Sequence, residues 1–247
     1  MRFAILSDIH ANLEALETVL ADVRQRECDR IVCLGDFVGY GPNPNECVER
    51  LVPLVAERSG AGNHDRAAVG QLEITSFNVY AQEAILWTHR ALRPTVASYL
   101  SALPAEWSNT TFLAFLAVHG SPRDPIEEYV LDIRTARENF RHRAFSLCFI
   151  GHSHVPGLFV STEEAVEAYP FPPAEEVRLH PASRYLINVG SVGQPRAGDP
   201  RAAYAVLDTD AAAVTLIRLE YPIEQTQEKM RREGLPATLV DRLSVGR

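Results

Sequence analysis

Five times along this chain an apolar run is cut short by a small cluster of aspartate, asparagine or histidine, and that recurrence limits what the chain can fold into. Residues 2–6 lead into Ser7-Asp8-Ile9-His10 and residues 31–34 into Gly35-Asp36. The short run 54–57 leads through Gly60-Ala61-Gly62 into Asn63-His64-Asp65. Residues 112–118 end in His119-Gly120, and 146–150 in Gly151-His152-Ser153-His154. Between the first two runs, Leu13, Leu16, Val19, Leu20 and Val23 recur at helical spacing after an Asn12 N-cap. A second helix is expected through 46–51, after the turn at 39–42. Strand followed by helix, repeated, predicts an α/β chain, in which ligands gather in the crevice outside the carboxyl ends of the strands. Five polar clusters at that address predict one shared site. In an extended backbone, residues two apart face the same way, so Asp8 and His10 should point together. The same holds for His152 and His154, unless a bend at the motif aims them at different ions.

The rest of the chain carries less chemistry. Helices are expected over 78–92 and 95–103, the second with Pro94 in its first turn, and over 133–140, with a loop at 122–129. His89 falls on the first of these helices and reads as a packing or surface residue, while His142 and His180 have no metal-binding context. Strands over 157–161, 185–189, 203–208 and 214–219 suggest a second sheet or an antiparallel extension. Between the first two of these, 162–183 is acidic and holds Pro170, Pro172, Pro173 and Pro181. It reads as a surface excursion or lid within a single domain spanning 1–247. Amphipathic helices over 222–233 and 237–243 would cover a sheet face.

Composition narrows the partners. With 247 residues, 46% of them hydrophobic, a sizeable core is available. The formal charge of −8, with no run of Lys or Arg, argues against an extended nucleic-acid surface or an anionic-membrane surface. A small anion can still be held locally by metal ions. Cys28, Cys33, Cys47 and Cys148 form no C-x-x-C pair and read as reduced thiols of a cytoplasmic protein. The apolar stretch before Asp8 is too short for a signal peptide, and 112–118 is too short for a membrane span. The clusters hold five of the eight histidines, together with the carboxylates of Asp8 and Asp36 and the amide of Asn63. Mixed nitrogen and oxygen donors without thiolate suit Mn²⁺, Fe²⁺, Zn²⁺, Co²⁺ or Ni²⁺ better than Ca²⁺ or Mg²⁺, and do not describe a structural zinc knot.

In this order, Asp8-x-His10, Gly35-Asp36, Gly62-Asn63-His64-Asp65, His119 and Gly151-His152-Ser153-His154 resemble the motifs of the calcineurin-like metallophosphoesterases. Asn188-Val189-Gly190-Ser191-Val192-Gly193 resembles a segment of that family's small bacterial phosphodiesterase branch. The resemblance implies a four-layer αββα sandwich, two mixed sheets flanked by helices. It implies two divalent ions, manganese first among them: Asp8, His10 and His154 on one, Asn63, His119 and His152 on the other, and Asp36 between. It further implies hydrolysis of small phosphodiesters or phosphomonoesters by a water activated between the ions. His64 would bind substrate with Asn63 and protonate the leaving group, with Asp65 orienting its imidazole, although His64 also suits a ligand position. Phosphoprotein and dinucleoside polyphosphate phosphatases of the family carry an arginine where this chain has Tyr40. That departure favours the small-molecule branch and diesters, with Arg66, Arg123 or Arg196 as replacement clamps. The fold also serves as a non-catalytic scaffold, but here every ligand position is filled.

Overall fold

The computed structural model of the chain describes residues 1–111 and 113–247. Phe112, the first residue of the strand expected over 112–118, lies outside them. In chain order the first half runs β1 (Arg2–Leu6), α1 (Leu13–Gln25), β2 (Arg30–Cys33), α2 (Pro44–Val55), α3 (Asn63–Ala68), α4 (Val79–Ala91), α5 (Pro94–Ala102), β3 (Glu106–Asn109) and β4 (Phe115–Val118). The second half runs α6 (Ile133–His142), β5 (Leu147–Ile150), β6 (Gly157–Ser161), β7 (Val166–Pro170), β8 (Glu176–Arg178), β9 (Arg184–Asn188), β10 (Ala202–Asp208), β11 (Ala213–Leu219), α7 (Ile223–Arg232) and α8 (Ala237–Asp241), then a 3-10 turn at Arg242–Ser244.

The strands form two mixed sheets, ordered β2-β1-β10-β11-β8 and β3-β4-β5-β9-β6-β7. Within them β1 and β2 are parallel, as are β4, β5 and β9, and the remaining pairs are antiparallel. Period-two alternation sorts each central strand between two cores. Phe3 and Ile5 of β1, Phe115 and Ala117 of β4, and Leu147 and Phe149 of β5 meet between the sheets. Ala4 and Leu6 turn instead toward α1, α2 and α5, where Leu16, Val19, Leu51 and Leu100 are buried. Leu116, Val118, Cys148 and Ile150 turn toward Ala136 and Phe140 of α6. The result is the expected sandwich of helix, sheet, sheet and helix. Among the described residues no helix is long and apolar enough to cross a membrane.

Two expectations differ from the structure. Residues 54–57 are no strand: Val48, Leu51 and Val55 share the buried face of α2, and their helical spacing carries the helix through Leu54 despite Pro53. The following loop still joins the sheet, by one parallel bridge between Ser59 and Cys33, so Asn63 arrives beside the end of β2. Residues 162–183 contain β7, the outer strand of one sheet, and β8, the outer strand of the other. The strand β3 is an edge whose sequence, Glu-Trp-Ser-Asn, has no apolar alternation to betray it.

Candidate metal centre

The polar clusters follow the carboxyl ends of β1, β2, β4 and β5 and the start of α3, and backbone hydrogen bonds lace their loops together. Asp8 N donates to Gly35 O at 3.0 Å, His10 N to Asp36 O at 2.9 Å, and Gly151 N to His119 O at 2.9 Å. From the far side, Val192 N donates to Ser7 O and Gly193 N to Asp8 O, while Asn188 Nδ2 donates to Gly151 O. The segment 188–193 therefore clamps two of the clusters. Asn12 caps α1, accepting from Ala15 N, and its Nδ2 donates to Gly193 O.

Convergence does not come from strand alternation. Asp8, His10, Ala11, Asp36, Tyr40, His152 and His154 all have left-handed backbone, with φ between 49° and 62°. Non-glycine residues adopt that conformation only under local constraint, and its concentration here marks strain held at one place. The turn separates the two imidazoles of the fifth motif. His154 joins Asp8 and His10, whereas His152 joins Asp36 and His119.

The proton inventory of these rings decides what they can hold. His10 Nδ1 lies 3.1 Å from Val38 O and His154 Nδ1 2.5 Å from Gln194 O, so each must carry its proton on Nδ1. Their Nε2 lone pairs then face each other at 3.1 Å. Asp8 Oδ1 sits 3.1 Å from His154 Nε2 and 3.7 Å from His10 Nε2 and has no hydrogen-bond partner. In the second cluster His152 donates from Nε2 to Glu127 O at 3.1 Å, which leaves Nδ1 as a lone pair 3.1 Å from His119 Nε2. Asn63 Oδ1 is 3.1 Å from that same His119 nitrogen. Between the clusters Asp36 Oδ2, also partnerless, stands 3.5 Å from His10 Nε2 and 3.4 Å from His119 Nε2.

Lone pairs aimed at one another in a buried site repel unless a cation lies among them. The donors fit divalent ions of borderline softness, with His10, His154 and His152 each oriented through its other ring nitrogen onto a backbone carbonyl. Burial pushes His152 down to about 4 and His154 down to about 3, which keeps both imidazoles neutral and free to ligate. Burial, together with the nearby Asp65 and Asp8 carboxylates, pushes Asp36 well above the usual carboxylate range. That carboxylate lacks a counter-charge. Gly62 makes its position accessible, because a Cβ there would lie 2.0 Å from Asp36 Oδ1.

His64 lies at the edge of this arrangement. Its backbone N donates to Asp36 Oδ1 at 2.9 Å, and its ring is enclosed by those of Tyr40, His10 and Phe77 at 4.3, 4.9 and 5.1 Å. Burial, then the positive surroundings, holds its imidazole well below the ordinary histidine range. The expected support from Asp65 is absent. Asp65 Oδ2 accepts from Gly62 N and Oδ1 from Val38 N, so its carboxylate braces the start of α3 against the loop after β2. His64 Nδ1 has no hydrogen-bond partner. A one-residue step along a helix turns a side chain about 100°, which is why neighbours in sequence part here.

The centre opens into a cavity of about 390 Å³ lined by His64, Tyr40, Phe77, Tyr129, Arg196 and Arg242, among others, and by no residue of 162–183. Of the three arginines expected as replacement clamps only Arg196 reaches it, with its guanidinium 5.8 Å from the centre of the Tyr40 ring. Arg66 is committed to the carbonyls of Ser101 and Leu103, and Arg123 to Glu128 and Glu138. Arg242, Phe77 and Tyr129, whose ring stacks 3.7 Å from that of His152, have no sequence signal linking them to the centre.

Residues 1–212 match the family described as the calcineurin-like phosphoesterase superfamily domain. A metallophosphoesterase from Sphaerobacter thermophilus is 44% identical, with a TM-score of 0.88 over 100% of this chain and 99% of that one. An uncharacterized protein of Methanocaldococcus jannaschii is 38% identical over 99% of this chain and 98% of its own length. A hypothetical protein from Pyrococcus horikoshii OT3, at 18% identity, shares the fold with a TM-score of 0.80 over 100% of this chain and 98% of that one.

Proposed function

The chain belongs to the calcineurin-like phosphoesterase superfamily, and from that premise we propose that it hydrolyses small phosphate esters with two divalent metal ions. The observation that carries this reading is the set of buried His and Asp groups, three overlapping trios of possible ligands, gathered around the partnerless Asp36 oxygen. Asp8, His10 and His154 would hold one ion, and Asn63, His119 and His152 the other, with Asp36 as the carboxylate available to both, as neutralising two adjacent dications would require. The mixed donor set suits manganese first, with Fe²⁺, Zn²⁺, Co²⁺ or Ni²⁺ as alternatives. Bound there, the ions supply Lewis-acid neutralisation of phosphate oxygens and make water acidic enough to attack near neutral pH.

The protein's own groups do the rest. Arg196, pressed on Tyr40 at the rim of the centre, binds the phosphate oxygens that face the cavity. It stands beside the residue that occupies the family's usual arginine position, so the charge expected to be lacking is supplied from another loop, and the chain accepts monoesters as well as diesters. Asn63 and His64 face the same oxygens. His64 is the group within reach of a leaving oxygen, and burial keeps it neutral in the free protein. Its proton is therefore taken up together with the anionic substrate, whose charge raises its affinity for one. Phe77 and Tyr129 offer aromatic faces to the organic part of the ester.

The test uses p-nitrophenyl phosphate, bis-p-nitrophenyl phosphate and a phosphopeptide on one preparation, chelated and then reloaded with Mn²⁺. Turnover of the two small esters that disappears with chelation and returns with Mn²⁺ supports the reading. Turnover confined to the phosphopeptide, or none with any of the five metals, overturns it.

A further inference from the structure

We propose that Arg242, with Arg196 spanning between it and the phosphate being cleaved, forms an anion subsite beside the metal centre, which holds a second phosphoryl group of the substrate. The inference rests on the phosphoesterase reading and narrows it from small phosphate esters to those carrying a further phosphate some ångströms from the one cleaved.

Two guanidinium groups share one cavity, and among the described residues no aspartate or glutamate pairs with either. Arg196 donates from Nη2 to Tyr40 Oη at 3.3 Å and to Gln194 Oε1 at 3.0 Å, while its Nε is buried without a partner. Arg242 donates from Nε to the main-chain oxygen of Arg247, and its two terminal nitrogens have no acceptor among the described residues. The chain is rich in acids, 32 against 24 Lys and Arg, and elsewhere it uses them: Arg93 pairs with Glu46 and Glu49, and Arg123 with Glu128 and Glu138. Glu127 lines the same cavity yet pairs with neither arginine. Burial, and then the charge of Arg196, makes Arg242 less basic. Such a pair is costly until an anion settles on it, and a phosphoryl dianion matches two planar forks better than a single carboxylate does.

The Tyr40 ring under Arg196 is 4.6 Å from the His10 ring, placing Arg196 against the centre, and Arg242 lines the same cavity. Arg242 is not on a loose tail. Leu243 and Val240 beside it are buried with Tyr40, Ala81, Ala84 and Met230. Gly198 N, in the loop that bears Arg196, donates to Gly246 O at 2.9 Å. Gly246 has φ +64°, and a Cβ there would lie 2.5 Å from the Asp199 backbone, so this joint between the two arginine-bearing segments admits only glycine. Arg242, unlike Arg196, falls outside residues 1–212, the part of the chain that the family match covers.

Calorimetry on the Mn²⁺-loaded protein, comparing propane-1,3-diol bisphosphate with propyl phosphate, tests this. The wild type should bind the bisphosphate roughly ten- to a hundredfold more tightly, the range one charge-assisted hydrogen bond contributes. Arg242→Gln should erase that preference, and Arg242→Lys, which keeps the charge without the fork, should retain part of it. A wild-type ratio near one overturns the proposal, as does an undiminished ratio in Arg242→Gln. Turnover of p-nitrophenyl phosphate by the wild type is read alongside. Its absence, together with that of bis-p-nitrophenyl phosphate turnover with each of the five metals, while the preference is intact refutes the phosphoesterase reading alone, and its presence with no preference refutes the subsite alone.

Discussion

Asp36→Asn should change the protein in opposite directions with and without metal. The substitution keeps the shape: Asn Oδ1 still accepts from His64 N at 2.9 Å, and the new amide nitrogen replaces an oxygen 3.4 Å from His119 Nε2 and 3.5 Å from His10 Nε2, the latter a lone pair. In the chelated protein this removes a buried acid whose Oδ2 has no partner and adds a hydrogen bond to His10 Nε2, a change worth about 1–4 kcal/mol in stability. At about 2–4 °C per kcal/mol for a chain of this size, Tm should rise by at least about 2 °C. With metal the account reverses. A unit charge 4 Å from another is worth about 4 kcal/mol at an effective dielectric of about 20, or some three decades of affinity. At Mn²⁺ a hundred times Kd the wild type gains about 2.7 kcal/mol, whereas a variant bound a thousandfold more weakly gains under about 0.1 kcal/mol. Thermal unfolding of both proteins, chelated and then titrated with Mn²⁺, reads both effects. A variant less stable than the wild type without metal, yet shifted equally by Mn²⁺, would refute the assignment of Asp36 as the shared ligand.

His64→Ala should keep its metal content and lower kcat by about 10²–10⁴-fold on alkyl esters and by less on p-nitrophenyl esters, whereas His152→Ala should lose metal; steady-state kinetics with elemental analysis separates the two, and an emptied metal site in His64→Ala would make His64 a ligand. The chelated protein should lose stability as pH falls from about 6.5 to 4. Unfolded histidines take up protons there, while burial holds His152 to about 4 and His154 to about 3 and lowers His10, His64 and His119 as well. Asp65, raised to about 7, and Asp36 act in the opposite sense, two groups against five. Unfolding midpoints that stay flat or rise across that window would count against five neutral buried imidazoles.

The fold class was legible because the chain writes it in local periods. Alternation through Phe3–Leu6 and Leu147–Ile150 places successive residues in different cores, and each run ends where a polar cluster begins. The run at 54–57 misled because four apolar residues suit a strand and a helix end equally, and only the buried face shared with Val48 and Leu51 decides. The clustered carboxylates and imidazoles were legible as residue types at strand ends, but the way they converge was not. Left-handed backbone at Asp8, His10, Asp36, His152 and His154 is imposed by loops hydrogen-bonded across long sequence separations. The role given to Asp65 failed for a related reason, since adjacency in a motif does not mean contact on a helix. Arg242 and Tyr129 reach the cavity only through tertiary packing, and no local pattern marks them.

The central claim is that two buried donor clusters share Asp36 and hold two ions. Elemental analysis of the wild-type chain after saturation with Mn²⁺ and removal of free metal measures this directly. The account predicts two ions per chain, falling below one in Asp36→Asn. At most one ion per chain in the saturated wild type would contradict it.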